Sequence, residues 1–485
     1  MLAPVSALLL LASAASGQNG WPGSIANEVN GPSWPQFANA TQRWSTYAAP
    51  TFNEVFIPRT EADLSTGLKY LSRANKTWLA KSGGHGYSVT LESVQDAVLI
   101  NMGNFNRIAM NGSKVTVGTG ATFAELVDAV AAAGRELTVG ACPCVGAMGA
   151  MLGGGLGRLE GLHGLTSDAL LSARVALWDG SIVEASKKKN ADLFWGIRGA
   201  GQNFGIVFEA VFDTYPATNG GMQYSADLTF GRDKLEAVVN VTNTLLAPEL
   251  DPALALAISL ANDPETLEPV VTVNIVYPGP PDKGRRFRQL YSALSSNYTE
   301  QMTAWAKLAD VALPGVVLAG CPKGKPHDQY SILTENLSAS ALASAHDSLS
   351  AFARQHPAAN GSSIFIETFG QRALKAIPQD SSAFPHRSYF RNAVVFTMTY
   401  TDDAVAEAAD GWARRMRNTF AQPSVSGYGE WHVYQNYGHG DEPPSALYGY
   451  EGWRHERLTR LKNRYDPHGF FDGFHAIPRN LADWS

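Results

Sequence analysis

The sequence predicts an α+β protein built from two folded parts. Three observations carry this expectation: the length of the chain, a change of pattern near residue 220, and a series of glycine-rich loops before that change. At 485 residues the chain exceeds what one ordinary hydrophobic core organises, so two or three domains are expected. From residue 50 short strands alternate with helices. From about 221 to 425 long apolar strands alternate with amphipathic helices, which predicts an antiparallel sheet covered on one face by helices. The expected boundaries are 18–220, 221–425 and 426–485, with the last segment returning to the first part.

The elements follow in order. "NEVFIP" at 53–58 reads as a short strand. The next helix opens on Thr60 with Asp63 three residues on, a capping box, and carries Leu64, Leu68 and Leu71 on one face. "TWLAKS" at 77–82 and "AVLINM" at 97–102 are strands. "KVTVGTGATFAELVDAVAAAG" at 114–134 reads strand, turn, helix, with Thr122 and Glu125 as a second capping box and Gly134 as the stop. "ARVALWDGSIVEAS" at 173–186 is a hairpin with Asp179-Gly180 as its two-residue turn, and "FGIVFEAVFDTYP" at 204–216 closes the region as a strand. In the second part "ALALAISLA", "PVVTVNIVY", "SIFIETFG" and "AVVFTMTYT" are strands, and 338–355 and 403–418 are helices. The last 60 residues are rich in Tyr, Gly and His and show little regular periodicity.

The bulk properties narrow the function. A net charge of −6 argues against nucleic acid and anionic membranes as partners, and Lys187, Lys188 and Lys189 read as a solvated turn. Residues 1–17 hold a short apolar core from Ala7 to Leu11 followed by small residues, which reads as a secretory signal rather than a membrane span. Glycosylation sequons at Asn39, Asn75, Asn111, Asn240, Asn297, Asn336 and Asn360 agree with it, so a secreted glycoprotein is expected. The three cysteines, Cys142, Cys144 and Cys321, leave one thiol over after any pairing. His432 and His439 have no carboxylate at ligand spacing, and no metal is expected.

The chemistry lies in the glycine loops. "KSGGHGYS" at 81–88 puts a titratable imidazole between adjacent glycines. "GTGATF" from Gly118, "GGGLGR" from Gly153 and "GAGQNFG" from Gly199 approach the dinucleotide fingerprint. The dinucleotide reading fails in detail: Phe123 replaces the third glycine in the first, and the third precedes a strand. So many loops in one region point to close backbone approach to one extended ligand.

The ordered set "IPRTEADL", "KSGGHGYS", "VTVGTGATFAELV", "GACPCVGAMGAMLGGGLG", "HGLTSDALL", "DLFWGIRGAGQNFGIV", "FPHR" and "YDPHGFF" resembles the FAD-linked oxidases of the vanillyl-alcohol-oxidase class. Its PCMH-type fold and the berberine-bridge-enzyme-like branch fit best. The resemblance implies a two-part FAD-binding domain and a substrate domain. It implies that Ser82, Gly83, Gly84, His85, Gly86, Tyr87 and Ser88 wrap the FAD pyrophosphate, with His85 bonded covalently to the flavin. The backbone amides of that loop can form an anion nest, and a neutral imidazole is nucleophilic.

The resemblance places a second tether on Cys142 and further FAD contacts on Val145, Gly146, Gly149, Gly154, Gly155, Gly157, Ile206, Val207 and Asn436. Cys144 is left to pair with Cys321 or to remain a free buried thiol. Tyr437 falls on the family's catalytic position with Tyr434 three residues before it. A tyrosine near its reference pKa of about 10 is a poor base, and needs a cationic neighbour or flavin contact to depress that value.

Two departures from the family pattern matter. Thr399 stands where relatives often carry Glu or Gln on the strand. Ala150 stands where many carry histidine, and Met151 follows at a position linked to oxygen access, so Met151 is expected to slow reoxidation. The implied function is hydride transfer from a small organic alcohol or amine, a secondary-metabolite intermediate, to covalently bound flavin. The electron acceptor is O2 or another oxidant. An oligosaccharide oxidase forming a lactone and a secreted flavin-binding protein without turnover are the alternatives.

Overall fold

The computed structural model describes residues 20–247, 249–295, 297–313, 317–318 and 320–485; the expected signal at 1–17 lies outside them. The first sheet contains β1 (Val29–Asn30), β2 (Phe52–Phe56), β3 (Trp78–Lys81) and β4 (Ala97–Asn101) in the order β1-β2-β4-β3. β2, β4 and β3 are mutually parallel, because the helix Glu61–Arg73 supplies a crossover after β2. That helix starts at the expected capping box, where Thr60 accepts from the Asp63 amide and Asp63 accepts from Thr60. Leu64, Leu68 and Leu71 are fully buried under the sheet, each worth about 1.5–3 kcal/mol of transfer free energy. Gly67 lies so close to the Phe56 ring that a Cβ would strike it, which sets the spacing of helix to sheet.

The second sheet is antiparallel. After β5 (Ile108–Asn111), β6 (Lys114–Gly118) and the two-residue β7 (Arg135–Glu136) come β8 (Leu170–Ala176), β9 (Ile182–Ser186), β10 (Ile206–Asp213) and β11 (Tyr215–Pro216). The order is β5-β6-β10-β8-β9, with β7 and β11 pairing separately. The expected two-residue turn of the β8–β9 hairpin is a three-residue one. The Leu177 amide donates to Ser181, the Gly180 amide donates to Leu177, and Gly180 has φ 78°. A type I turn followed by a left-handed glycine restores the strand twist that a bare type I turn would spoil.

The third sheet has seven antiparallel strands: β12 (Met222–Gly231), β13 (Ala255–Asn262), β14 (Pro269–Tyr277), β15 (Tyr298–Ala304), β16 (His327–Thr334), β17 (Ser363–Phe369) and β18 (Asn392–Thr399). Their order is β15-β12-β14-β13-β17-β18-β16. One face, with Leu256, Ile258, Val273, Ile366 and Phe396, packs on the helices Leu235–Leu246, Pro281–Ser292, Ala339–Gln355 and Ala406–Phe420. Strand side chains alternate, so the opposite face presents a row of β12 Asp227, β14 Asn274, β13 Ala257 and β17 Glu367 in direct register. This face looks toward the first part of the chain: Leu333 and Ala393 pack with Leu156, Leu165, Phe384 and Tyr434.

The C-terminal segment holds a helix, Gly452–Tyr465, that periodicity does not announce. Its buried positions include Arg454 and Lys462, so its inner face is not an apolar stripe. It docks on the first part through Arg464 to Asp192 and through Lys462 to the Asn203 carbonyl, and Phe470 then stacks on Trp78. Arg387 of "FPHR" grips Asp168 of "HGLTSDALL" at 2.9 and 2.6 Å with both side chains buried, a bidentate clamp between the two parts.

Candidate active site

The loop Ser82–Ser88 leaves the C-terminal end of β3, the end of a parallel strand where ligands bind. Two glycines bring it against the loop before the helix Ala147–Leu152. A Cβ on Gly83 would lie 2.5 Å from the Gly146 amide nitrogen, and one on Gly146 would strike Ser82. Among the described residues no backbone amide from Ser82 to Ser88 donates a hydrogen bond within the protein. The buried Nε2 of His85 and the buried Tyr87 hydroxyl have no partner either. The His85 ring stacks on Trp44 at 5.2 Å, and Trp44 stacks on His327 at 4.0 Å. Burial, with the nearby Lys323, His327 and Arg43 charges, lowers the His85 pKa to about 4. The imidazole is therefore neutral, with a free lone pair, at ordinary pH.

Cys142 faces the same region as a half-buried free thiol, and Cys144 is bonded to Cys321. Of the two fates open to Cys144, the structure shows pairing. Burial pushes the Cys142 thiol up, opposed by the backbone amide of Cys144. The Val145 carbonyl accepts from the Phe123 amide, fixing the loop on the start of the preceding helix, Phe123–Ala132.

The remaining predicted contacts divide by role. Gly149 is exposed, and no atom lies within 4 Å of where its Cβ would be. Gly154, Gly155 and Gly157 are glycines because a Cβ there would meet Phe384, Thr166 and Val139. Gly118 and Gly199 likewise press on Phe105 and on Phe384. At these positions close contact within the protein is enough to account for the missing side chain. Ile206 and Val207 are both buried at the start of β10, on opposite faces, opposite Ala176 and Val175 of β8. Met151 is fully buried within the core, so its length does not obstruct the cleft; Gly149 and Ala150 are the accessible residues of that helix.

The C-terminal segment brings Tyr434, Asn436 and Tyr437 together. Asn436 Nδ2 donates to the Ala150 carbonyl at 2.8 Å and to the Tyr434 hydroxyl at 2.7 Å. Tyr434 also accepts from the Gly155 amide at 3.0 Å, and burial raises its pKa. Its oxygen is committed to positioning the glycine loop. Tyr437, edge-on to Tyr434 at 5.0 Å, donates its hydroxyl proton to Glu367 Oε2 at 2.8 Å.

No cation depresses Tyr437; burial and Glu367 raise its pKa well above the usual phenol value. Glu367 is raised in turn by burial, resisted by the Tyr437 hydrogen bond and the Arg158 charge. Thr399 lies elsewhere, bonded to His327 Nδ1 at 2.9 Å. A buried carboxylate next to Tyr437 is therefore present on β17 and not at 399. The signal for it was a single carboxylate in the apolar strand "SIFIETFG".

Behind this segment His439 stacks on Tyr330 at 3.8 Å, with Asp328 and Asp441 at 3.1 and 3.3 Å from its two ring nitrogens. Asp328, Asp410 and His439 bring possible ligand atoms within 4.8 Å of one another, a cluster that sequence spacing could not reveal. Burial alone would lower the His439 pKa, yet Asp328 and Asp441 hold it at about 9, so the ring is a buried cation. Its unfolded value is about 6.5, so its stabilising contribution is full below pH 6.5 and is lost as pH rises through 9. The shift corresponds to on the order of 3 kcal/mol. The melting temperature should fall across that window, and His439→Asn should flatten the fall. An equal slope in the variant would show that His439 does not carry it.

A family model described as an FAD binding domain matches residues 53–186, and one described as berberine and berberine like matches residues 433–478. An FAD-linked oxidoreductase of Neurospora crassa is 34% identical over 461 residues, covering 93% of this chain and 89% of the relative. The chain belongs to the berberine-bridge-enzyme-like FAD-linked oxidoreductases. A second such FAD-linked oxidoreductase, from Aspergillus niger, is 32% identical over 435 residues, covering 88% of this chain and 90% of its own length.

Solved structures share the fold at lower identity. Berberine bridge enzyme from Eschscholzia californica has a TM-score of 0.77 at 21% identity, covering 94% of this chain and 97% of its own. A chitooligosaccharide oxidase has a TM-score of 0.77 at 20% identity, with 93% and 97% covered. The free amides of 82–88, the unpartnered His85 Nε2 and the Tyr87 hydroxyl fit FAD as the cofactor of this FAD-linked oxidoreductase.

Proposed function

We propose that this FAD-linked oxidoreductase oxidises a small organic alcohol or amine, with the Tyr437–Glu367 pair removing the proton. The carrying observation is the 2.8 Å hydrogen bond from Tyr437 to a buried carboxylate whose charge is felt by Tyr87 of the glycine–histidine loop. FAD, when bound, supplies the hydride acceptor. His85 and Cys142 would hold it covalently. Tyr437 does not need to become a phenolate beforehand. It accepts the substrate proton while its own proton passes to Glu367, so the carboxylate is neutralised and the phenol is never left ionised. Arg158 stabilises the ionised Glu367 before the step. This acid removes the ground for a reading without turnover, which rested on Thr399.

The lining favours a compact, largely apolar substrate over an oligosaccharide. Two residues before Glu367 on the same face stands the half-buried Phe365 ring, and the nearby Gln329 and Thr397 are bonded to each other at 2.8 Å. A sugar site needs free hydrogen-bonding groups for each hydroxyl. Anaerobic bleaching of the flavin with a panel of aromatic and alicyclic alcohols and amines against reducing oligosaccharides tests this. Bleaching by the first group is expected; bleaching by sugars alone would establish lactone formation instead.

Secretion belongs to the same reading. Six sequon asparagines are exposed, Asn39, Asn75, Asn111, Asn240, Asn297 and Asn336, while Asn360 is half-buried with its amide on Pro264. The Cys144–Cys321 bond also suits an oxidising compartment. Endoglycosidase treatment of protein from a eukaryotic culture medium should lower its mass by several glycans, and no shift would count against the reading.

A further inference from the structure

The three cysteines converge although Cys321 is 177 residues from Cys144 in sequence. Cys142 Sγ lies 3.2 Å from Cys144 Sγ and 3.9 Å from Cys321 Sγ. Cys144 carries no proton in its disulfide, so the Cys142 thiol is the donor of that short contact. The spacing Cys142-Pro143-Cys144 keeps the first two sulfurs side by side whatever the third does. Each of the three is thus close enough to pair with another, and only one pairing spares Cys142.

The bridge also crosses between the two parts of the chain. Cys321 belongs to the long connection between β15 and β16. Leu308, Ala312, Leu313 and Val317 of that connection cover the face of the third sheet that looks toward the FAD domain. Its far end is clamped on the N-terminal segment: Trp44 Nε1 donates to the Gly320 carbonyl at 2.6 Å, and the Gly324 amide donates to the Arg43 carbonyl at 2.9 Å.

We propose that the Cys144–Cys321 bridge acts as a protecting pair: by occupying Cys144 from across the interface it reserves Cys142 for attachment to the flavin. The inference rests on the reading of Cys142 as a flavin tether. The competing reaction is thiol–disulfide exchange. In the intact protein the Cys142 thiolate would attack Cys144 Sγ, form Cys142–Cys144 and release the Cys321 thiolate, with no net oxidation. The clamped connection keeps that Cys321 thiolate next to the new bond, where it attacks back. Burial keeps the Cys142 thiolate scarce, which slows the forward step.

Without Cys321 the protection is lost. An external disulfide such as oxidised glutathione then converts the two neighbouring thiols into Cys142–Cys144. One glutathione thiol leaves as the mixed disulfide forms, and the second leaves as the other cysteine closes the bond.

The test compares Cys321→Ala with Cys144→Ala/Cys321→Ala, both exposed to oxidised glutathione and mapped as non-reduced peptides by mass spectrometry. The two variants lack the same bridge, so any general effect of losing it appears in both. Cys321→Ala should show a Cys142–Cys144 link and no flavin on Cys142. The double variant should return Cys142 to the flavin. A Cys142 that carries flavin, or stays a free thiol beside a free Cys144, in Cys321→Ala overturns the protecting role. Absence of flavin on Cys142 in the wild type and in the double variant overturns the tether reading instead, whatever the disulfide map shows.

Discussion

Glu367→Gln should slow flavin reduction by its substrate roughly 10²- to 10⁴-fold while the protein stays folded and yellow, the usual span for a lost acid–base group. The amide keeps the shape and can still hydrogen-bond Tyr437, but it has no carboxylate to receive the proton. Tyr437→Phe should cause a loss of similar size, since it breaks the same relay at its other member. The double variant should be little worse than either single one, because two groups that act as a unit are not additive. Burial raises the Glu367 pKa, so its carboxylate forms only above that raised value. Wild-type reduction should therefore fall as pH drops through it, and Glu367→Gln should lack that limb. Stopped-flow mixing without air reads all of this. A Glu367→Gln rate equal to wild type would remove the carboxylate from the chemistry and leave Tyr437 or water as the base.

His85→Ala/Cys142→Ala should release its flavin on denaturation, whereas each single variant should keep it in the precipitate. The two residues come from loops that touch at Gly83 and Gly146, so each can hold the cofactor when the other is gone. His85 is suited to attack because burial keeps it neutral; Cys142 is the slower partner because burial raises its thiol. His85→Ala should consequently show the lower occupancy of the two singles. Yellow supernatant from Cys142→Ala alone would mean that His85 makes no bond. Yellow precipitate from the double variant would place the attachment elsewhere.

What the sequence revealed follows from which signals are local. Capping boxes at Thr60 and Thr122, the four long apolar strands and the glycine–histidine loop are written in consecutive residues, and they stand in the structure where expected. The resemblance could single out Tyr437 and Cys142 because each lies in a short run of consecutive motif residues. Glu367 was not legible as Tyr437's partner, because the two are 70 residues apart and meet only through the register of the third sheet. Met151 was misread because position in a motif does not say which way a helical side chain points, and this one points into the core. The His439 cluster draws its acids from β16, the helix Ala406–Phe420 and the C-terminal segment. The helix Gly452–Tyr465 was hidden by burying charged residues on its inner face.

The central claim, that this oxidoreductase carries FAD held at His85 and Cys142, does not depend on knowing the substrate. Proteolytic digestion of the purified wild-type protein under denaturing, non-reducing conditions, followed by mass spectrometry of the yellow fraction, tests it most directly. The account predicts one flavin joining the peptide that contains His85 to the peptide that contains Cys142. Flavin recovered free, or bound to peptides that contain neither residue, would contradict it.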